Sequence, residues 1–377
     1  MSTAATAAVM RAAGALPPGP ALVFDLGIVR DRMDRARAAA RAAGVELLHA
    51  VKAFPAPVAV ELAATHLDGL DVAGPEEQAA ALAVAPTTVS VTWPGDVDAA
   101  ALTALAARHR VTAVCETAAQ LATAAKVAGV TLAVRLASDA DSRFGVAPEA
   151  LREVVAVAAG RVRALHVHGG PLATSPGTIA ARARRACDAA DAAGLALAQL
   201  DLGGSLHGFA ITSATSGQAL VADAFAAARA VVPTGVRLLF EPGRLWTEGA
   251  GFAVGRVLAA RRAGERELRV LELSRLCHLR WSTPRLVAPP PRPPGGRRGG
   301  AGETGARPNH ARVAVTLLGA TCCEDDVIGD AVVPPEHLAA LDVGARVVLS
   351  GVTGYAVGWN RAFAGVPAAQ VVTVASD

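Results

Sequence analysis

Between Leu47 and Glu241 one pattern recurs: a short apolar run, then an Ala-rich stretch of helical character. The runs are Leu47–Val51, Gly69–Val72, Val89–Thr92, Val111–Cys115, Leu132–Leu136, Ala164–His168, Ala198–Leu202 and Leu238–Glu241. Helical segments at Pro57–Leu67, Pro75–Val84, Val97–Arg108, Ala118–Val127, Pro148–Ala158, Ile179–Ala193 and Gly217–Val232 separate nearly all of them. Strands that each return through a helix must run parallel, and this rhythm predicts a (β/α)8 TIM barrel of the α/β class. The structural rival is an open doubly wound sheet, but no Gly-x-Gly-x-x-Gly follows the first strand. Ahead of the barrel, Ala21–Asp25 reads as a strand and Leu26–Ala43 as a helix stopped by Gly44.

After Gly243 the helical periodicity fades. Strand-like runs follow at Phe252–Leu258, Leu268–Leu273, Arg312–Leu318, Ala345–Leu349 and Gln370–Val374, which predicts a second, mostly β domain. The expected division is an N-terminal segment, 1–25, that contributes a strand, a barrel over 26–245, and a β domain over 246–377. Ala288 to Pro308 is rich in Pro, Gly and Arg and is expected to be a disordered insertion without readable chemistry.

A chain of 377 residues can bury both domains, and 52% hydrophobic residues with 18% charged make it globular. A net charge of +3, without a basic-aromatic stripe, points away from nucleic acid. No apolar run reaches the roughly 20 residues of a membrane span, so no membrane partner is expected. The N-terminus lacks an export pattern, and five scattered cysteines suit a reducing compartment, so the expected location is cytoplasmic. The cysteines have no metal-ligand spacing, and no metal is expected.

Only two lysines occur, Lys52 and Lys126, in a chain that otherwise takes arginine. Lys52 stands where the run Leu47–Val51 must stop, because Pro55 cannot continue a ladder. An amine at the lip of a strand, in apolar surroundings, is expected to lose its proton readily and act as a nucleophile toward a carbonyl. Arginine cannot do this. The plain alternative is a strand-end lysine reaching water along its stem.

In such a barrel the working residues sit where strands end. Collected there are Lys52, Asp71, Arg135 with Ser142-Arg143-Phe144-Gly145, His166 and His168 with Gly169-Gly170, Asp201 with Gly203-Gly204-Ser205, and Glu241-Pro242-Gly243-Arg244. Glycines let backbone amides approach a phosphate, and Arg244 can pair with it. A strand-end histidine can lie flat on a heteroaromatic ring, although for His166 a bond to a backbone carbonyl is the expected role. Glu241 can keep a pyridine nitrogen protonated. Its simpler role is an ion pair with Arg244. A lysine, a phosphate cradle, a stacking histidine and an acid for a ring nitrogen are together what a pyridoxal 5'-phosphate site requires.

With these motifs assembled, the chain resembles the fold-type III pyridoxal-phosphate decarboxylases, the group of ornithine, arginine and diaminopimelate decarboxylases. The matching motifs are His49-Ala50-Val51-Lys52-Ala53, Asp71-Val72-Ala73-Gly74-Pro75-Glu76-Glu77, Ser142-Arg143-Phe144-Gly145, His166-Val167-His168, Leu200-Asp201-Leu202-Gly203-Gly204, Glu241-Pro242-Gly243-Arg244, Thr321-Cys322 with Asp326-Val327, and Gly354-Tyr355. The resemblance implies an alanine-racemase-like barrel with a C-terminal β domain and a homodimer with shared active sites. It implies decarboxylation of a small-molecule amino acid through a Schiff base on Lys52. By the same resemblance His168 stacks on the cofactor ring, Glu241 meets its nitrogen, and Gly204 with its turn, Arg244 and Tyr355 hold the phosphate. Cys322 enters from the partner subunit as the acid that returns a proton.

Departures from the family pattern bear on substrate. Ser205 replaces a third glycine, and Pro171 replaces a serine that binds phosphate. Cys323 stands where the family has an acid for the substrate's distal amine, and Glu324 comes one residue later. The segment Glu272–Arg280 occupies the place of the family's specificity helix, and Arg280, or His278 beside it, is expected to meet a polar or carboxylate tail. These features point away from plain ornithine or lysine. Two other functions fit the motifs less well. A racemase needs an acid/base partner opposite Lys52, and Tyr355, the only tyrosine, is committed to phosphate. A catalytically dead binding protein has no need of both Lys52 and Cys322.

Overall fold

The computed structural model describes residues 3–169, 175–206, 214–287 and 312–375. Gly170, Pro171 and the expected 288–308 insertion lie outside the described residues. The chain divides into two compact units, Gly27–Glu248 and Met1–Leu26 with Gly249–Asp377.

The first unit is a closed barrel of eight strands: β2 (Val45–Ala50), β3 (Gly69–Val72), β4 (Thr88–Thr92), β5 (Arg110–Cys115), β6 (Val130–Arg135), β7 (Val162–His166), β8 (Gln199–Asp201) and β9 (Arg237–Phe240). Every pair is parallel, and β2 pairs with β9 to close the ring, which excludes the open sheet. The strands read as continuous buried runs because both faces are covered. Leu47, Leu70, Val89, Val111, Leu132, Leu165, Leu200 and Leu239 are buried on successive strands. With few aromatics, helix-to-barrel packing rests on Ala and Val, reinforced where Phe225 meets Phe240 edge-on at 5.1 Å.

The two ends of the barrel differ. At the N-terminal end Glu46 takes two hydrogen bonds from Arg237, at 2.9 and 2.6 Å, and one from Arg110 at 3.0 Å. This is a partly exposed ion network that ties β2, β9 and β5. At the C-terminal end register sets a polar layer: Arg135 pairs with His166, and His166 with Asp201. Ala50 pairs with Asp71 on the neighbouring strands.

The second unit is a mostly β sheet. Its strands are β1 (Ala21–Asp25), β10 (Gly251–Ala263), β11 (Arg266–Leu271), β12 (Arg285–Leu286), β13 (Val313–Leu318), β14 (Val327–Val333), β15 (Arg346–Val352) and β16 (Gln370–Val374). β1 pairs with β10 antiparallel and with β16 in parallel, so the first strand of the chain joins this sheet and not the barrel. Val9, Ala13, Val23, Phe252, Val254 and Val348 form its buried cluster, with the helix Thr3–Ala15 contributing the first two. The sequence reading omitted β14 because Gly329 and Asp330 interrupt its apolar run. No helix among the described residues is long and apolar enough to cross a membrane.

Candidate active site

β2 ends in a 3-10 turn, Val51–Ala53, that turns Lys52 out at the barrel lip. Lys52 Nζ lies 2.5 Å from Asp71 Oδ2, the lysine side chain 41% exposed and the aspartate fully buried. The expectation of a desolvated amine is therefore corrected. The 3-10 turn carries the side chain off the apolar strand, and the amine sits in an ion pair. Burial and then the Glu241 charge raise Asp71 above the usual carboxylate range, while Lys52 opposes them. Beneath the turn His49 is buried with Nε2 3.3 Å from Phe54 O. Burial first, offset by that bond, and then Lys52 bring its pKa to about 4.

Across the barrel, His166 Nε2 lies 3.2 Å from Glu241 Oε2, with both side chains at most 2% exposed. Two sequence expectations change here. His166 partners an acid, not a backbone carbonyl. Arg244 donates to Glu248 at 2.5 Å, so it is not the partner of Glu241. Asp201 Oδ1 accepts the Gly203 N–H at 2.9 Å. One ligand atom each of His166, Asp201 and Glu241 lies within 4.8 Å of the others. Burial and then Glu241 push Asp201 well above its ordinary value, which favours its protonated form. Burial would also raise Glu241, but the charge and hydrogen bond of His166, then the Lys52 charge, hold it at about 2. One acid ionised and one protonated is what two close buried carboxyls require.

His168 follows β7. Burial and then His166 bring it down to about 3, so its ring is a neutral flat surface. Gly203 lies at φ +62°, and a Cβ there would stand 2.8 Å from His168 Cδ2. A Cβ on Gly204 would stand 2.9 Å from the Glu241 carbonyl oxygen. Both positions need glycine. Ser205 Oγ donates to Gly169 O at 3.1 Å. A Cβ on Gly243 would meet Ala53 Cβ at 2.4 Å, which ties the β9 loop closely to the Lys52 turn. Arg135 donates to Glu116 at 2.8 Å and lies over Phe144, 4.7 Å from its centroid. Glu116 also accepts the Gly145 N–H at 3.2 Å. Sequence reasoning missed Glu116, although an acid directly after the end of β5 was the available signal.

The remaining expected residues belong to the second unit. Cys322 is exposed and Cys323 half-buried. The Cys323 N–H donates to Thr321 Oγ1 at 3.4 Å, and Thr321 Oγ1 donates to the buried Asp326 at 2.7 Å. Glu324 is exposed. His278 is fully buried: Nδ1 accepts the Ser274 N–H at 3.2 Å and Nε2 lies 2.9 Å from Pro367 O. Both nitrogens are occupied by backbone. Arg280 is exposed and lies over Trp359 at 4.7 Å, while Tyr355 meets Trp281 edge-on at 4.9 Å.

The barrel residues suit a cofactor with a ring nitrogen, an aldehyde and a phosphate. Glu241 Oε1 and Asp201 Oδ2 are buried without a hydrogen-bond partner among the described residues. An ionised Glu241 suits a protonated ring nitrogen. Gly203 and Gly204 let this turn pack closely on His168 and the Glu241 backbone, and a backbone turn without side chains can cradle a phosphate. A model of the pyridoxal-dependent decarboxylases, pyridoxal binding domain, matches residues 26–248. The chain belongs to this family. Its cofactor is pyridoxal 5'-phosphate.

Solved structures share the fold over nearly the whole length. The arginine decarboxylase of Paramecium bursaria Chlorella virus is 18% identical with a TM-score of 0.75, over 97% of this chain and 100% of that one. The lysine/ornithine decarboxylase of Vibrio vulnificus is 22% identical, TM-score 0.75, over 97% of each chain. The carboxynorspermidine decarboxylase of Campylobacter jejuni is 18% identical, TM-score 0.70, over 95% of each. No curated protein matches this pyridoxal-dependent decarboxylase family member in sequence.

Proposed function

We propose that this family member decarboxylates an α-amino acid whose tail is neither a plain ornithine nor a plain lysine chain. The observation that carries the reading is the Lys52–Asp71 pair at the lip of a barrel that also holds an ionised Glu241 and a neutral His168. When bound, pyridoxal phosphate supplies the sink for the electron pair of the breaking Cα–carboxylate bond. Lys52 would be the amine that holds the cofactor aldehyde. Asp71, hydrogen-bonded to Lys52, is placed to take or hold its proton. His168 gives the ring a flat neutral surface, and Glu241, fixed by His166, keeps the ring nitrogen protonated. Gly203, Gly204, Ser205, Gly243, Arg244 and Tyr355 are assigned to the phosphate, and Arg135 orders the neighbouring loop through Glu116.

Cys322 is assigned the proton returned to Cα, and its exposure fits a thiol that serves a neighbouring subunit. This needs a homodimer with shared active sites, working in the cytoplasm. Arg280 takes the substrate's distal carboxylate or other polar tail, and Cys323 and Glu324 are the further residues assigned to that distal end. His278, with both nitrogens occupied, supports that segment and does not contact substrate. The test is a screen of basic, acidic and amide-tethered amino acids with the loaded protein, read by mass spectrometry. Loss of carbon dioxide from one of them is the expected outcome. Uptake of deuterium at Cα without mass loss would identify a racemase instead. A colourless protein that stays colourless in pyridoxal phosphate would overturn the reading.

A further inference from the structure

The helix Pro176–Ala193 follows β7 and buries Ile179, Arg182, Ala183, Ala186, Cys187 and Ala190. One member of that apolar stripe is an arginine. Arg182 is 8% exposed, and its Nη1 donates to Leu202 O at 3.0 Å. Its guanidinium also lies flat against Gly169, where an added Cβ would come within 1.9 Å of Nη2. The group is thus wedged beneath both glycine turns, the one that leaves β7 and the one at Leu202-Gly203 that leaves β8.

Its charge is not balanced. Among the described residues no carboxylate pairs with Arg182. The neighbour that acts on it electrostatically is Arg185, of like sign, and Arg185 spends its own donors on the carbonyls of Ala137 and Ser138. A neutral carbonyl satisfies one N–H and none of the charge. A buried guanidinium keeps its proton, so it cannot escape this cost by neutralisation and needs an anion. The sequence is acid-free from Val167 to Ser175 and from Leu202 to Ser216. The sequence also lacks a hydroxyl at Pro171, which removes one neutral donor from this end of the barrel.

We propose that Arg182 is a phosphate-binding residue of this protein, a buried cation beneath the Gly169 and Gly203 turns that balances the phosphate monoester of the cofactor. The inference rests on the assignment of the Gly203-Gly204 turn to the phosphate. Bound phosphate then supplies the counter-charge the fold leaves out, and Arg182 gives a charge-assisted contact or field where the serine is absent.

The test compares pyridoxal phosphate with pyridoxal, which has the same ring and aldehyde but no phosphate. Full-length protein is titrated with each and followed by its visible absorbance, for wild type, R182M and R182K. R182M is expected to weaken pyridoxal phosphate roughly 10-fold or more and to leave pyridoxal within about 2-fold. R182K, which keeps charge without the planar fork, is expected to fall between. Equal losses for both ligands, or no loss for either, would overturn the assignment. If R182M does not fold, thermal stabilisation by inorganic phosphate decides: it is expected in wild type and reduced in R182K, and equal stabilisation of the two would overturn it. A wild type that binds neither ligand overturns the cofactor-site reading itself, an outcome separate from all of these.

Discussion

The lip of the barrel and the loops of the β unit place their polar groups in opposite ways. At the barrel lip Asp71, His166, Asp201 and Glu241 are each no more than 3% exposed: Asp71 bonds to Lys52, His166 to Glu241, and Asp201 to the Gly203 N–H. In the β unit Cys322, Glu324 and Arg280 stand in solvent, while the buried polar groups His278 and Asp326 bond to backbone or to the loop beside them. Electrostatic preorganisation needs burial, and the barrel supplies it, because fixed charges act strongly only where water is excluded. The β unit instead presents its polar and thiol ends at exposed positions. This is the arrangement expected of groups that act on something held elsewhere. One region should therefore govern cofactor loading, and the other turnover and choice of substrate.

The largest effect should come from K52A. It is expected to abolish both the cofactor's visible band and turnover, and a coloured, active K52A would break the division at its centre. C322S should lower kcat by about 10²–10⁴-fold, the usual worth of a positioned proton donor, with cofactor affinity unchanged. A parallel fall in cofactor affinity, measured by absorbance titration, would show that the β unit does more than deliver a proton. D201A should weaken the cofactor by about 10- to 100-fold, the effect of removing the carboxyl that accepts the Gly203 N–H and stands beside Glu241. D201N should recover most of that, because an amide can accept from Gly203 and adds no charge beside Glu241. If D201N is as poor as D201A, Asp201 works ionised. R280A is expected to raise KM about 10-fold on the true substrate with little change in kcat.

A further effect, on stability and not on turnover, concerns pH. The folded pKa of His49 is about 4, below its ordinary value of 6.5, so the unfolded chain takes up its proton first as pH falls. His49 therefore adds stability that is complete above about pH 6.5 and is lost on acidification toward pH 4, by about 1.4 kcal/mol per pH unit within that window. Denaturant titrations across this range should show a shallower slope for H49Q than for wild type. Identical slopes would mean that His49 does not carry the linkage.

Eight barrel strands were legible because each is a local run of Val, Leu and Ala between helical segments, and local pattern needs no knowledge of the fold. Lys52 was found from the proline that ends its strand, but its surroundings were misread. An apolar run says nothing of a carboxylate 19 residues away that the barrel sets beside it. His166 and Glu241 stand 75 residues apart, so neither partner could be named from its own neighbourhood, and the near choices, a backbone carbonyl and Arg244, were wrong. Arg182 was visible in principle as the one charge on an apolar helical face. Its lack of a counter-ion was not.

The sequence alone determined the order of elements, the residues that end each strand, and thereby the family and its cofactor. Only the tertiary structure decided which of those side chains meet and which carboxyl keeps its proton. Chain order is written by nearest neighbours. Ionisation and pairing depend on the distance and burial that arise when β2 meets β9 and the barrel closes.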